Sequence, residues 1–382
     1  MTSSDKYEGF MKKFQRRDFL KTFATAGLLG STAALSGCKI RFQQDDNSTM
    51  NGGKVYHWRM VTTWLPHFPV LGEGAELIAK WIDEMSGGRL KIQVFGSGEL
   101  VPALEVFDAV RQGTAEMGHG AAYYWAGKNP AAQFFGAVPF GMNAQQVNSW
   151  MYSGGGLELW NELYAQYNLV AFPGGNTGVQ MGGWFNREIN SISDLKGLIM
   201  RIPGLGGKVF SRAGGTAVSP PGGELYTSLE RGVIDATEWI GPYHDYLMEF
   251  HKIAKYYYYP GWHETGSVLE LMVNKTAFET LPSDLQEIVR VAAARANIWM
   301  LSEFEQKNAL YLKKIREYSK VEMRKFPDDV LAEFRKHTEA AINEITASDP
   351  FSKRVWESYS SFKNQMKDWA ELTEKTFYHE LE

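Results

Sequence analysis

The chain has 382 residues, a formal net charge of −4, 44% hydrophobic and 14% aromatic residues, and a single cysteine. This is ample apolar material, and more chain than one core usually serves, so two lobes are expected. No basic stripe points to nucleic acid, one thiol rules out an internal disulfide framework, and no segment after the N-terminal region is apolar for long enough to span a bilayer.

Residues 1–37 read as an export signal. A basic segment from Lys12 to Lys21 precedes an apolar stretch over about 22–35, which is too short for a membrane span. The run Leu35-Ser36-Gly37-Cys38 closes it with small residues, and Cys38 stands where a lipid-attachment site would put it. The pair Arg16-Arg17 followed by Phe19-Leu20-Lys21 resembles a twin-arginine signal, read by a translocase that carries folded proteins. Residues 38–54, polar, without period and containing Gly52-Gly53, read as the lipidated cysteine and a flexible tether. The expected protein is exported to the periplasm or cell exterior and anchored to a membrane at Cys38.

Folded structure is expected from a strand at 55–61. A helix follows over 71–85, with Leu71, Ala75, Ile78, Trp81, Ile82 and Met85 at helical spacing, stopped by Ser86-Gly87-Gly88. Residues 90–95 alternate like a strand, and a short helix over about 103–112 turns Leu104, Phe107 and Val110 inward. This alternation predicts an α/β lobe with a largely parallel sheet. The pattern continues with a helical region at 150–167 and strands near 168–172, 180–186 and 199–202. A helix follows Gly206-Gly207. Tyr256 to Tyr259 reads as a strand with alternate faces buried. Ser283 to Gln286 has the spacing of a capping box, and the absence of Pro and Gly from there to about Tyr318 predicts a helix near 35 residues. Two more helices are expected over 327–347 and from 351 to the end. In the last, Val355, Tyr359, Phe362, Met366 and Trp369 form a 3.5-residue seam. That seam fits either a second copy of the chain or the chain's own lobe.

Common catalytic signatures are missing: there is no His-Glu-x-x-His and no Gly-x-Ser-x-Gly. Pro203 to Lys208 has the glycines of a phosphate loop but not their spacing, and Val209 stands where Mg²⁺ ligation needs Ser or Thr, so it reads as a turn opening a helix. His119, His244 and His263 have no partners at a recognisable spacing and read as satisfied structural histidines, while Trp125 reads as core. Arg201 ends a predicted strand before a Pro-Gly turn, where α/β sheets present side chains to a crevice. Its guanidinium offers a planar fork to both oxygens of a carboxylate.

Two runs are more specific. Asp194-Leu195-Lys196-Gly197 leads through three residues to Arg201-Ile202-Pro203, and Glu224-Leu225-Tyr226 leads on to Leu229 and Arg231-Gly232-Val233-Ile234-Asp235. Together they resemble the solute-binding subunit of tripartite ATP-independent periplasmic (TRAP) transporters, with the likeness extending from about Val55 to Leu312. Tyr123-Tyr124-Trp125 and Ala236 to Pro242 are most similar to the branch that binds 2-oxo or 2-hydroxy acids with a cation.

The resemblance implies an α/β two-lobe clamshell of the periplasmic-binding-protein kind, with a long spanning helix and C-terminal helices. Lobe I would comprise 55–178 and 266–305, lobe II 179–265 and 306–350, and 351–382 a C-terminal helix available for homodimerisation. It assigns the ligand carboxylate to Arg201, and a cleft wall and hydroxyl to Tyr123 and Tyr124. Gln180, Glu238 and the main-chain carbonyl of Trp239 would touch the ligand and hold Na⁺ or Ca²⁺, for which hard oxygens are suited. A buried carboxylate beside a ligand carboxylate needs such a cation between them. The implied partners are a small organic carboxylate and a membrane permease. No covalent chemistry is implied, since hinge closure around the ligand suffices. The alternatives from other classes are an exported enzyme acting on small acids and a ligand-sensing subunit of a signalling system.

Overall fold

The computed structural model describes residues 54–318 and 320–382. The export signal, Cys38 and almost all of the tether therefore lie outside the described residues. Among the described residues no helix is long and apolar enough to cross a membrane.

Two sheets organise the chain. The first has five strands in the order Leu90–Phe95, Tyr56–Thr62, Met117–Gly120, Val268–Asn274, Leu169–Asn176. Its first three strands are parallel, and Val268–Asn274 runs antiparallel to both of its neighbours. The expected largely parallel sheet is thus mixed, because a strand from far along the chain returns as the fourth of the five, between Met117–Gly120 and Leu169–Asn176. The second sheet has six short strands in the order Glu322–Lys325, Tyr256–Tyr259, Gly183–Phe185, Ala236–Thr237, Ile199–Arg201, Thr216–Val218. The chain crosses from first sheet to second between Asn176 and Gly183, and returns between Tyr259 and Val268. Gly261 lies where these crossings touch: a Cβ there would sit 2.1 Å from the carbonyl oxygen of Gln180.

The helix Ser283–Glu317 has 35 residues and is about 50 Å long at 1.5 Å per residue. Its alanine-rich first half has high helix propensity and buries Leu285, Val289, Ala292 and Ala296 with Ile78 and Ile82 of helix Leu71–Met85. Its middle buries Met300 and Phe304 in a cluster with Trp184, Trp239 and Tyr243. The helix therefore backs the first sheet directly and, with helix Pro242–Leu247, joins the cluster that holds Trp184 of the second.

Several expectations need correction. The capping box is not formed: Pro282 is the cap, Ser283 is already helical, and the Gln286 side-chain Nε2 donates to the Leu281 carbonyl at 3.0 Å. The 150–167 helix is two helices, Ala144–Ser153 and Gly156–Ala165, parted at Gly155, whose φ of 85° is left-handed. Helix Gly204–Arg212 begins ahead of Gly206-Gly207 and includes them. Met85 and Leu104 are exposed. Tyr257 and Tyr258 are both buried, so the tyrosine strand is covered on both faces and does not alternate.

The last helices differ as well. Asp328–Ser348 packs on helix Gly204–Arg212, and Pro350–Leu372 stops short of the chain end. The first half of the expected seam folds back on its own chain: Val355 and Tyr359 are buried, and the Tyr359 hydroxyl accepts from the Met142 amide at 2.9 Å. The second half does not, for Trp369 is 60% exposed and Leu372 76%.

Candidate functional site

Arg201 ends strand Ile199–Arg201, and in register beside it the parallel strand Ala236–Thr237 runs straight into Glu238. The Glu238 amide donates to the Arg201 carbonyl at 3.2 Å. The strands' carboxyl ends therefore place a guanidinium and a carboxylate side by side, with side chains 2% and 1% exposed. The Arg201 Nη1 donates to the Glu238 carboxylate and, at 3.2 Å, to the Glu238 carbonyl. Nη2 lies 3.3 Å from the Tyr124 hydroxyl, and the Trp239 ring centre is 5.1 Å from the guanidinium carbon. Nε is buried and has no partner. Burial works against the charge of Arg201, but Glu238 and the two tyrosines outweigh it and hold the guanidinium protonated beyond its ordinary range.

Tyr123 and Tyr124 come from the other sheet, on the turn Ala122–Trp125 just past the carboxyl end of strand Met117–Gly120. The turn is pinned from behind, where the Trp125 indole donates to the buried carboxylate of Glu270 and the Tyr164 hydroxyl does so at 2.6 Å. Burial, and next the carboxylate of Glu264, push the Tyr123 phenol well above its usual range; Tyr124 is also raised, by burial, with Arg201 pulling the other way. Both phenols are therefore neutral donors at physiological pH. The two sheets close tightly here: a Cβ on Gly204 (φ 59°) would lie 2.9 Å from the Tyr123 Cβ.

Gln180 stands on the outbound crossing and meets the return crossing through two backbone bonds, Gln180 amide to Glu264 carbonyl at 3.2 Å and Thr177 amide to Ser267 carbonyl at 3.0 Å. Its Nε2 donates to the Glu264 carboxylate at 2.8 Å and to the Thr177 hydroxyl at 3.0 Å, while its Oε1 is buried without a partner. Glu264 also accepts from the Ser267 hydroxyl. Burial, and next repulsion from Glu238, push the Glu264 carboxyl up to about 7.

A cavity of about 10 Å³, barely room for one water, is lined by Trp64, Tyr123, Tyr124, Gln180, Arg201 and Trp239 among others. All six residues expected from the sequence therefore meet around one closed space, or in the case of Glu238 directly behind it. A larger groove of about 750 Å³ lies elsewhere, between Tyr152, Phe278 and Val291, and touches none of them. Glu264, Thr177, Ser267 and Trp64 are further members that sequence reasoning missed, since no local motif marks them.

The three histidines divide. His119 accepts from the Trp64 indole at 2.7 Å and donates to the Gly174 carbonyl at 3.1 Å, and burial lowers it to about 4. His244 accepts from the Trp239 indole at 3.3 Å and donates to the Pro69 carbonyl at 2.8 Å, and burial lowers it to about 3. Both are neutral struts holding the indole walls. His263 departs from the expectation: it is buried, both ring nitrogens lack hydrogen-bond partners, and Nε2 is 3.4 Å from a Glu238 oxygen. Glu238, His263 and Glu264 each present a donor atom, all within 4.8 Å of one another. Carboxylate oxygens and an amide carbonyl are the ligands that hard cations take, so the residues present fit a cation.

Comparison with known proteins gives consistent relatives. Residues 60–349 match the family described as bacterial extracellular solute-binding protein, family 7. A monocarboxylate 2-oxoacid-binding periplasmic protein of Nostoc sp. is 43% identical over 363 residues, covering 95% of this chain and 98% of the relative. A TRAP periplasmic solute-binding protein of Pseudoalteromonas atlantica, solved with bound sodium and pyruvate, is 44% identical with a TM-score of 0.84, covering 86% of this chain and all of that one. One from Colwellia psychrerythraea, solved with bound calcium and pyruvate, is 45% identical with a TM-score of 0.83, covering 85% of this chain and 99% of that one.

Proposed function

The chain belongs to family 7 of the bacterial extracellular solute-binding proteins, the receptors of TRAP transporters, and we propose that its solute is a small 2-oxo monocarboxylate bound together with a cation. As such a receptor it works outside the cytoplasm and delivers its solute to a membrane permease. One observation carries the ligand reading. Two buried polar atoms of opposite kind lack partners, the donor Nε of Arg201 and the acceptor Oε1 of Gln180. An unmet donor suits an anion and an unmet acceptor suits a cation, and each is costly to leave unpaired.

In this reading the Nε–Nη2 edge of Arg201 takes the carboxylate as a fork and the Tyr124 hydroxyl adds a donor. Tyr123, Trp64 and Trp239 wall the space around the short carbon chain. Gln180 through Oε1, Glu238 and the Trp239 carbonyl hold the cation, which when bound offsets the repulsion between Glu238 and the ligand carboxylate. A pyruvate-sized acid is supported by what the Nostoc, Pseudoalteromonas and Colwellia relatives bind, and the enclosure must open beyond its present volume of about 10 Å³ to admit it. Calorimetry of pyruvate against acetate, which lacks the 2-oxo oxygen, tests this. Much tighter pyruvate binding is expected, and equal affinity would remove the 2-oxo group from recognition.

The reading extends to the ends of the chain. A twin-arginine-like signal exports the protein, and Cys38 carries a lipid that holds it at the membrane. Residues 55–178 with 266–305, and 179–265 with 306–350, act as the two lobes of a clamshell hinged at the crossings. The apolar face left by Trp369, Leu372, Tyr378 and Leu381 joins two copies into a homodimer.

A further inference from the structure

We propose that His244 is a positioning residue that ties the ligand wall at Trp239 to a strained turn across the enclosure, Pro69-Val70-Leu71, so that the closed receptor holds a spring which speeds release of its solute. The inference rests on the reading that a 2-oxo acid is enclosed between the two sheets. It goes beyond that reading in naming what holds the enclosure shut and what reopens it.

The turn leads from the first strand into helix Leu71–Met85. Val70 has φ 63° and ψ −51°, and the Leu71 amide donates back to the Pro69 carbonyl at 2.8 Å. This three-residue turn is rare and strained, and a β-branched residue such as valine is poorly suited to a positive φ. The Val70 side chain is nevertheless fully buried, in a cluster with Trp64, Trp239 and Phe304. Strain of this kind persists only where the surroundings over-determine it, and it gathers at ligand clamps and switch segments.

The contact that holds it comes from the other side of the enclosure. His244, on helix Pro242–Leu247, donates from Nε2 to the same Pro69 carbonyl at 2.8 Å, and its ring meets Phe68 edge-on at 4.7 Å. Its Nδ1 accepts from the Trp239 indole at 3.3 Å. The partners settle these roles, since an indole only donates and a carbonyl only accepts. Trp239 lines the enclosure, with its ring over the Arg201 guanidinium. A solute that fixes Trp239 therefore also fixes the imidazole that grips the turn. The strained loop is itself a wall, because Trp64 and Leu71 at its two ends both line the enclosure. Relaxing Val70 to an ordinary φ moves Leu71 and widens the space the solute must enter and leave.

The test follows pyruvate dissociation from the purified protein by stopped-flow tryptophan fluorescence, in buffer holding Na⁺ and Ca²⁺. His244→Phe keeps an aromatic ring between Phe68 and Phe304 but removes both hydrogen bonds. Dissociation should quicken about tenfold, as the loss of one buried hydrogen bond predicts, with association little changed. A variant that melts at a lower temperature yet releases pyruvate at the wild-type rate makes His244 a purely structural residue and overturns the proposal. Val70→Gly and Val70→Ala isolate the strain, since both remove the buried side chain but only glycine takes a positive φ freely. Pyruvate should leave Val70→Gly roughly fivefold more slowly than Val70→Ala. Equal rates in these two overturn the proposal, and the pair decides the matter if His244→Phe does not fold. Either failure leaves the 2-oxo acid reading standing, whereas a wild type that binds no pyruvate overturns that reading and this inference with it.

Discussion

Replacing Glu270 by Gln should remove a pH dependence of the protein's stability whose size can be calculated. Glu270 is fully buried in strand Val268–Asn274, where the Trp125 indole and the Tyr164 hydroxyl both donate to it. Burial raises its carboxyl from 4.5 to about 7, and those two hydrogen bonds only partly resist. A folded value above the unfolded one means that the protonated form is favoured by folding. The associated stability is complete below about pH 4.5 and is lost as pH rises through about 7. At 1.36 kcal/mol per unit, the ionised carboxylate costs about 3 kcal/mol at pH 8 and less than about 1 at pH 5. Glutamine keeps an oxygen for Trp125 and presents its NH₂ to Tyr164, whose hydroxyl can turn to accept; losing that donated bond costs about 1 kcal/mol at any pH. Glu270→Gln should therefore be no more stable than wild type at pH 5 and about 2 kcal/mol more stable at pH 8. Urea unfolding of both proteins at the two pH values measures this. Asp245, Glu264, His119 and His244 are also shifted and shape the wild-type curve, so the difference between the two proteins is the quantity to read. A difference that does not change between pH 5 and pH 8 would refute the argument that Glu270 is destabilised by its charge.

Arg201→Lys keeps the charge but loses the fork. One charge-assisted bond is worth roughly 1.5–3 kcal/mol, so calorimetry should show pyruvate binding weakened about tenfold to over a hundredfold, and unchanged affinity would remove Arg201 from the site. Trp369→Glu with Leu372→Glu places charges on an exposed apolar face, leaving buried Val355 and Tyr359 untouched. Light scattering should find a dimer in the wild type and a monomer in the variant, and a wild type that stays monomeric at high concentration counts against a homodimer. Cys38→Ser should move the protein from the membrane to the soluble fraction without altering pyruvate affinity, and a variant that still fractionates with membranes would disprove lipid attachment at Cys38.

What the sequence disclosed was chiefly local. The long helix is legible because a run without Pro or Gly, rich in Ala and Leu, has few other conformations open to it. Arg201 is legible because a strand end before Pro-Gly is a place where sheets present ligands. The partners that define the site depend on distant segments meeting. Glu264 reaches Gln180 across 84 residues of chain, and nothing in Trp262-His263-Glu264 announces that a second crossing passes beside it. The same separation hid strand Val268–Asn274, which turned an expected largely parallel sheet into a mixed one. The tyrosine strand misled because alternation requires one wet face, and here helices cover both, with Tyr243 and Phe250 beside Tyr257 and Phe334 beside Tyr258. The C-terminal seam is buried at Val355 and Tyr359 and then exposed at Trp369, although Ala370 and Glu374 still meet their own chain.

The central claim is that this receptor binds a 2-oxo acid through a cation, and one titration tests it directly. Pyruvate is titrated calorimetrically into the wild-type protein in chelator-treated choline buffer, then again after restoring Ca²⁺ or Na⁺. The account predicts weak or undetectable binding in the stripped buffer and recovery on adding the ion, because the buried Glu238 carboxylate otherwise repels the ligand carboxylate and competes with it for Arg201. Equally tight pyruvate binding with and without ions would contradict it.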